Sequence, residues 1–159
     1  MAFARTNELR IDDVEVAGLA SDLAARLEAA SQLQGATVTV QMEPMVLEVD
    51  AGRIRQVLSN LLRNAAEALP GGRIEVTGDH RGGVYRIEVC DRGVGVPPED
   101  RDRVFEPFYG KRPGGSGLGL AVCMGVVRAH SGSIRMEDRA GGGTIVVVEL
   151  PVRTEVRAA

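Results

Sequence analysis

Four strand-like segments of this chain come as two adjacent pairs, and that order restricts the fold more than any other feature. Arg73 to Thr77 and Gly83 to Val89 alternate with a period of two, with the turn-rich Gly78-Asp79-His80-Arg81-Gly82 between them. Ser133 to Glu137 and Thr144 to Leu150 are joined across Gly141-Gly142-Gly143. Both pairs read as hairpins. Strands that follow one another directly do not build a strictly alternating βαβ fold. They favour an α+β two-layer sandwich, a mostly antiparallel sheet with helices on one face.

The helices are legible from their stripes. Val16, Leu19, Ala20, Leu23, Ala24 and Leu27 recur at three and four, and Gly35 suits a left-handed cap near the end of that helix. Asp50 can cap a second helix that runs to about Leu69 and stops at Pro70-Gly71-Gly72. Its apolar positions, Ile54, Val57, Leu58, Leu61, Leu62, Ala65 and Leu69, fall within an arc of about 140°. Another helix runs from about Leu118 to His130, and Pro97-Pro98-Glu99-Asp100 opens a short helical turn. Thr37 to Met42 reads as a strand, and Met45 to Val49 as a short second one beyond Pro44. The total is about three main helices and five or six strands, with a tail from Pro151 onward.

Composition removes several classes of function. With 44% hydrophobic and 26% charged residues in 159, the chain can form one ordinary core and bury roughly 70% of the surface its unfolded form exposes. A net charge of −3, three Phe, two Tyr and no Trp offer neither a basic field nor stacking platforms for nucleic acid. Cys90 and Cys123 sit in apolar runs without paired spacing, as reduced residues of a cytoplasmic protein do. No apolar stretch approaches the roughly 20 residues that span a bilayer, so no membrane contact is expected of this domain.

Three constellations carry chemistry. Asn60 and Asn64 lie one helical turn apart on the edge of the apolar arc, where an amide is half buried. Neutral amide oxygens suit a Mg²⁺ ion that already carries phosphate oxygens, although two amides there also fit a plain polar boundary. Asp91-Arg92-Gly93-Val94-Gly95 follows a strand directly. A carboxylate at a strand end can accept from an exocyclic amine, and the glycines let backbone approach a flat ring, or simply make a turn. Gly114-Gly115-Ser116-Gly117-Leu118-Gly119-Leu120 opens a helix, where clustered N–H groups and the helix dipole favour phosphate. Neither the dinucleotide fingerprint nor the Walker pattern is met.

Taken in order, Asn60-Leu61-Leu62-Arg63-Asn64-Ala65, Asp91 to Gly95, Phe105-Glu106-Pro107-Phe108 and Gly115 to Leu120 resemble the ATP-binding catalytic domain of sensor histidine kinases. That family shares a superfamily with gyrase, Hsp90 and MutL. The resemblance covers about residues 12 to 151 and implies a Bergerat-type sandwich, a mixed, mostly antiparallel five-stranded sheet with about three helices on one face. Residues 1–11 then read as the remnant of a preceding dimerisation helix or linker, and 152–159 as a tail. ATP or ADP with Mg²⁺ is the implied ligand.

By this resemblance Asn64 coordinates Mg²⁺, Asn60 supports the phosphates and Asp91 accepts from the adenine amine. Gly93 and Gly95 admit the ring, and Thr144 lies near the adenine. Phe105 and Phe108 anchor a mobile lid, and Gly115, Gly117 and Gly119 hinge it and cradle phosphates. Lys111, Arg112 and Leu118 belong to the same nucleotide-binding stretch, with Leu118 and Leu120 as packing residues. Asn60, Asn64 and Lys111 make up the implied catalytic set. Phe108-Tyr109-Gly110-Lys111-Arg112 resembles the lid of nitrogen-regulator-type kinases, except that Tyr109 and Gly110 replace two threonines. Lys111 there either screens the γ-phosphate or is solvated, and Arg63 meets phosphate or water. Glu67 stands where some members carry a basic residue.

The family phosphorylates a histidine followed by an acidic residue on a separate dimerising hairpin, with a response regulator downstream. Neither His80 nor His130 has that neighbour, so the phosphoacceptor is expected outside this chain. Two rivals remain at this point. An anti-sigma-type serine kinase needs a glutamate base four residues before the magnesium asparagine, where this chain has Asn60. The other rival is a non-catalytic module that binds nucleotide only to change shape.

Overall fold

A computed structural model describes residues 8–109 and 118–152. The element order is β1 (Asp12–Glu15), α1 (Val16–Ala29), β2 (Thr37–Met42), β3 (Val46–Val49), α2 (Ala51–Ala68), β4 (Arg73–Arg81), β5 (Val84–Asp91), α3 (Gly119–Ala129), β6 (Ser133–Asp138) and β7 (Thr144–Pro151). Two short 3₁₀ turns, Pro98–Asp100 and Arg103–Phe105, lie between β5 and α3. The five-stranded sheet has the order β2-β4-β5-β7-β6. Only β2 and β4 run parallel within it; the other neighbours are antiparallel. The expected α+β sandwich with a mixed, mostly antiparallel sheet is therefore the fold observed.

Period-two burial explains the two layers. Ile74, Val76, Tyr85, Ile87, Val89, Val146, Val148, Leu150 and Ile134 are buried on one face and join the buried stripes of α1, α2 and α3 in one core. The opposite face carries Arg86 against Glu88 at 2.7 Å and Arg135 against Glu137 at 2.7 Å. Such half-exposed pairs solubilise the open face more than they stabilise it. Among the described residues no helix is long and apolar enough to cross a membrane.

Two local readings need correction, and one strand pairing is new. The first helix ends at Ala29, not near Gly35; Ser31, at φ 55°, takes the left-handed position, and Gln32 N–H closes the end on Leu27 O at 2.9 Å. Leu33, 1% exposed, can then turn into the core. The stretch Gly78 to Arg81 is strand rather than turn, and the reversal falls on Gly82 and Gly83, both at positive φ. Gly78 is needed inside β4 because a Cβ there would stand 2.6 Å from the Tyr85 hydroxyl. That hydroxyl donates to Glu43 O at 2.7 Å, and burial, with nearby acidic groups, pushes its pKa up to about 12. Finally, β1 pairs antiparallel with β3 in a separate two-stranded sheet. Its partner lies more than 30 residues away, beyond the reach of local pattern.

Candidate nucleotide site

The apolar arc of α2 faces the sheet, which leaves Asn60 and Asn64 half-buried at its margin. The end of β5 brings Asp91 to the same place, and the pairing of Asp91 with Thr144 brings the start of β7. These side chains line a cavity of about 410 Å³ with Gly95, Gly119 and Tyr109. Val89, Ala65, Leu61, Met136 and Val146 form its apolar walls. An aromatic ring suits such a floor, and a few convergent polar groups suit orientation of a ligand.

Asp91 is 7% exposed. Burial raises its pKa above the ordinary aspartate value of 3.8, while the N–H groups of Gly93 and Thr144 and the charge of Arg139 act against that rise. The Gly93 N–H donates to its carboxylate at 2.8 Å. Asn60 is fastened differently: its Nδ2 donates to Gly119 O at 3.2 Å, so α2 holds the first residue of α3 through this amide. The bond uses one of the two N–H groups of the amide and leaves the amide oxygen as an acceptor. Behind it, Cys123 is fully buried, and burial pushes its thiol up to about 12. It is an inert packing residue rather than a nucleophile.

Other residues singled out in the sequence fall elsewhere. Gly93 does not line the cavity; a Cβ there would stand 2.6 Å from Ala68 Cβ, so this glycine lets the β5 turn pack on the end of α2. Phe105 is buried and faces a separate hollow beside Met124 and Ile134. Phe108 is 62% exposed with φ 67°, and Leu118 is 37% exposed; neither lines the cavity. Arg63 is at the cavity rim, its guanidinium donating to Gln32 Oε1. Lys111, Arg112, Gly115 and Gly117 lie outside the described residues, as does most of the expected lid.

The structure gives a place to two residues that the motifs included without a role in the site. Tyr109 lines the cavity, hydrogen-bonds Asp100 and lies 5.4 Å below the Arg103 guanidinium. Gly143, at φ 106°, is where β7 begins beside Asp91, and a Cβ there would collide with the Asp91 carbonyl oxygen. The three-glycine run was visible, but which of its members meets another strand depends on register. Gly143→Ala should lower the unfolding free energy by about 1–3 kcal/mol through backbone strain alone. Urea denaturation checks this, and an unchanged midpoint would mean that the strand start relaxes freely.

The donor set can be tested against the ion that the fold family implies. Among the described residues no group of three His, Cys, Asp or Glu side chains could hold a metal by themselves. Two half-buried amides facing a cavity instead suit a hard ion that arrives with most of its oxygen ligands, as Mg²⁺ does on a polyphosphate. The residues fit that role.

Comparison with known proteins places this geometry. Residues 49–154 match the family described as histidine kinase-, DNA gyrase B- and HSP90-like ATPase. The histidine protein kinase DivJ of Caulobacter vibrioides is 39% identical over 133 residues, 76% of this chain and 22% of that protein. Sensor protein DivL of the same organism is 34% identical over 146 residues, 90% of this chain and 19% of that protein. The chain thus spans about a fifth of the length of these curated relatives. Among solved structures, the mycobacterial sensor histidine kinase MprB superposes with a TM-score of 0.80 at 30% identity, covering 91% of this chain and 99% of that one. The catalytic domain of histidine kinase ThkA gives 0.81 at 28% identity, covering 90% and 96%. Sequence and backbone agree over the same stretch, and the chain belongs to the histidine kinase-, DNA gyrase B- and HSP90-like ATPase family.

Proposed function

We propose that residues 12–151 are the ATP-binding catalytic domain of a sensor histidine kinase. It binds Mg-ATP and donates the γ-phosphoryl group to a histidine on a separate dimerisation domain, from which a response regulator is served. The parent protein works in the cytoplasm through this domain. The observation that carries the reading is the meeting of Asn60, Asn64, Asp91 and Thr144 in one cavity whose far wall is the first turn of α3. ShkA, similar over 91% of this chain at 31% identity, was solved with AMPPNP, which supports an adenine nucleotide as the ligand class.

In this reading Asp91 accepts from the adenine amine, and Thr144 supports it from the paired strand. The first N–H groups of α3 face the phosphates. Asn64 supplies an oxygen to the ion, and Asn60 holds α3 in place while its own oxygen faces the same region. A bound Mg²⁺ would neutralise charge on the transferring phosphates. Beyond that, the protein's contribution to phosphoryl transfer is positioning. Asn60 cannot take a proton, which suits a neutral imidazole acceptor and does not suit serine or water. The serine-kinase alternative lacks its base at this position.

Asn64→Ala tests the assignment directly. The variant should lose most of the magnesium-dependent part of ADP affinity while retaining the part measured in EDTA. Calorimetric titrations of both proteins with and without Mg²⁺ decide it, and equal affinities in Mg²⁺ would sink the assignment.

A further inference from the structure

Behind the cavity, at the far end of α2, three backbone segments meet on two buried polar side chains. Asp50 is 9% exposed and His130 is 8% exposed. The Asp50 carboxylate accepts from Arg53 N–H at 3.1 Å, which caps α2, and from Arg10 N–H at 2.8 Å, which holds the backbone arriving ahead of β1. The Asp50 N–H in turn donates to His130 Nε2 at 3.0 Å. His130 Nδ1 lies 2.9 Å from Val126 O, the last turn of α3. A carbonyl only accepts, so Nδ1 carries the proton and Nε2 is the acceptor; both ring nitrogens are engaged and the ring is neutral. Burial disfavours the Asp50 charge, yet the two N–H donors, with the charge of Arg53, bring its pKa below the usual aspartate value.

The turn that carries His130 is itself clamped. Ser131 has φ 62°, Gly132 N–H bonds Val127 O at 2.9 Å, and a Cβ on Gly132 would collide with the Glu149 carbonyl of β7. Along the antiparallel pair of helices the ties then run in order. His130 meets Asp50 at one end, the Cys123 thiol approaches Val57 O at 3.7 Å in the middle, and Asn60 holds Gly119 at the cavity end. Asn60 and Asn64 lie ten and fourteen residues along α2 from Asp50, about 15 and 21 Å at 1.5 Å per residue. One rigid helix therefore spans from the incoming backbone to both site amides.

We propose that Asp50 and His130 form a positioning junction through which the backbone at Arg10 is coupled to the nucleotide site. His130 sets the spacing of α2 and α3 from behind, so that Asn60 meets Gly119 and Asn64 faces the cavity. Asp50 attaches the chain ahead of β1 to the same helix, so a displacement there reaches the site as a movement of α2. The inference rests on the nucleotide reading for its effect on affinity, but the junction itself exists without ligand.

The test separates the two ring nitrogens in the full chain. His130→Gln keeps an acceptor at the position of Nε2, whereas His130→Asn is too short to reach the Asp50 N–H. The Asn variant should bind Mg-ADP about tenfold more weakly, because the binding-competent spacing of α2 and α3 is then only a minor population that the ligand must select, and the Gln variant within about twofold of wild type. Without nucleotide, amide exchange over residues 119–127 should quicken in the Asn variant and not in the Gln variant. Arg10→Pro, which removes the N–H that Asp50 accepts, should shift the side-chain amide resonances of Asn60 and Asn64, and Arg10→Ala, which keeps that N–H while losing the same side chain, should not.

Equal behaviour of the Asn and Gln variants in exchange would reduce His130 to a packing residue and overturn the junction. Unmoved Asn60 and Asn64 resonances in Arg10→Pro would overturn the coupling. Failure of the wild type to bind Mg-ADP would refute the nucleotide reading alone, and exchange would still decide the junction. Should His130→Asn not fold, ring ¹⁵N shifts of the wild type decide: a proton on Nδ1 supports the bridge, and a proton on Nε2 overturns it.

Discussion

Incubated with γ-labelled ATP and Mg²⁺, this chain should bind nucleotide yet carry no acid-labile label and release phosphate only slowly. Self-labelling needs an imidazole at the γ-phosphate, and neither histidine lines the cavity. His130 is buried with both ring nitrogens engaged. His80 lies near the end of β4, where its backbone N–H bonds the Glu43 carboxylate at 3.2 Å. Hydrolysis needs an activated water, and the position where superfamily hydrolases carry a glutamate holds Asn60, an amide already committed to Gly119. Loss of a general base typically costs ~10²–10⁴ in rate. Adding a purified dimerisation hairpin with its histidine should restore labelling, on the hairpin. Acid-labile label on the isolated chain would overturn the reading, and rapid phosphate release would identify another residue as base.

Adenine should be preferred over guanine by about tenfold to a hundredfold, because guanine would set a carbonyl oxygen against the buried carboxylate of Asp91. A mismatched buried polar pair costs ~1–3 kcal/mol. Competition of ATP and GTP for the site measures the preference, and equal competition would exclude Asp91 as the base reader. The same contact makes binding pH-dependent. Burial raises the Asp91 pKa above 3.8, so in the ligand-free protein this carboxylate protonates earlier on acidification than an ordinary aspartate. Protonation relieves the cost of burying the charge and so favours the folded chain relative to neutral pH. It also removes an acceptor for the adenine amine. ADP affinity should therefore begin to fall at a pH above 3.8, before acid unfolds the domain. A pH series of titrations on wild type and Asp91→Asn checks this; an equally steep fall in the variant would assign the dependence to another group.

What was legible in the sequence is what depends on neighbours along the chain. The stripe of α2, its Asp50 cap, the alternation of β5 and β7 and the glycines that separate the elements are local signals, and they led to the α+β sandwich. Helix and strand periods put Asn60, Asn64 and Asp91 at an edge or an end, and the resemblance to the ATP-binding domain joined them, with Thr144, into one expected site. Even there local chemistry misled where packing outbid it. Gly35 was available as a helix cap, but burial of Leu33 moved the stop to Ser31; Gly78 invited a turn, but Tyr85 required a strand without a side chain at that point.

Contacts across the fold were settled only by tertiary structure. Nothing near Gly93 in the chain says that it meets Ala68, and nothing in Gly141-Gly142-Gly143 says which glycine touches Asp91; the packing of α2 on the sheet decides the first and sheet register the second. Tyr109 enters the cavity because the 3₁₀ turns bring it to Asp100 and Arg103. The hydrogen bond from Asp50 to His130 joins residues 80 positions apart, and the role of each nitrogen on that ring follows from which backbone group the packed helices place before it. The sequence determined which chemistry was present, since residue type and period are local properties. Which of those groups would share a cavity, and which would merely hold its walls, was decided by long-range packing, because a side chain's partners are set by the elements that fold against it.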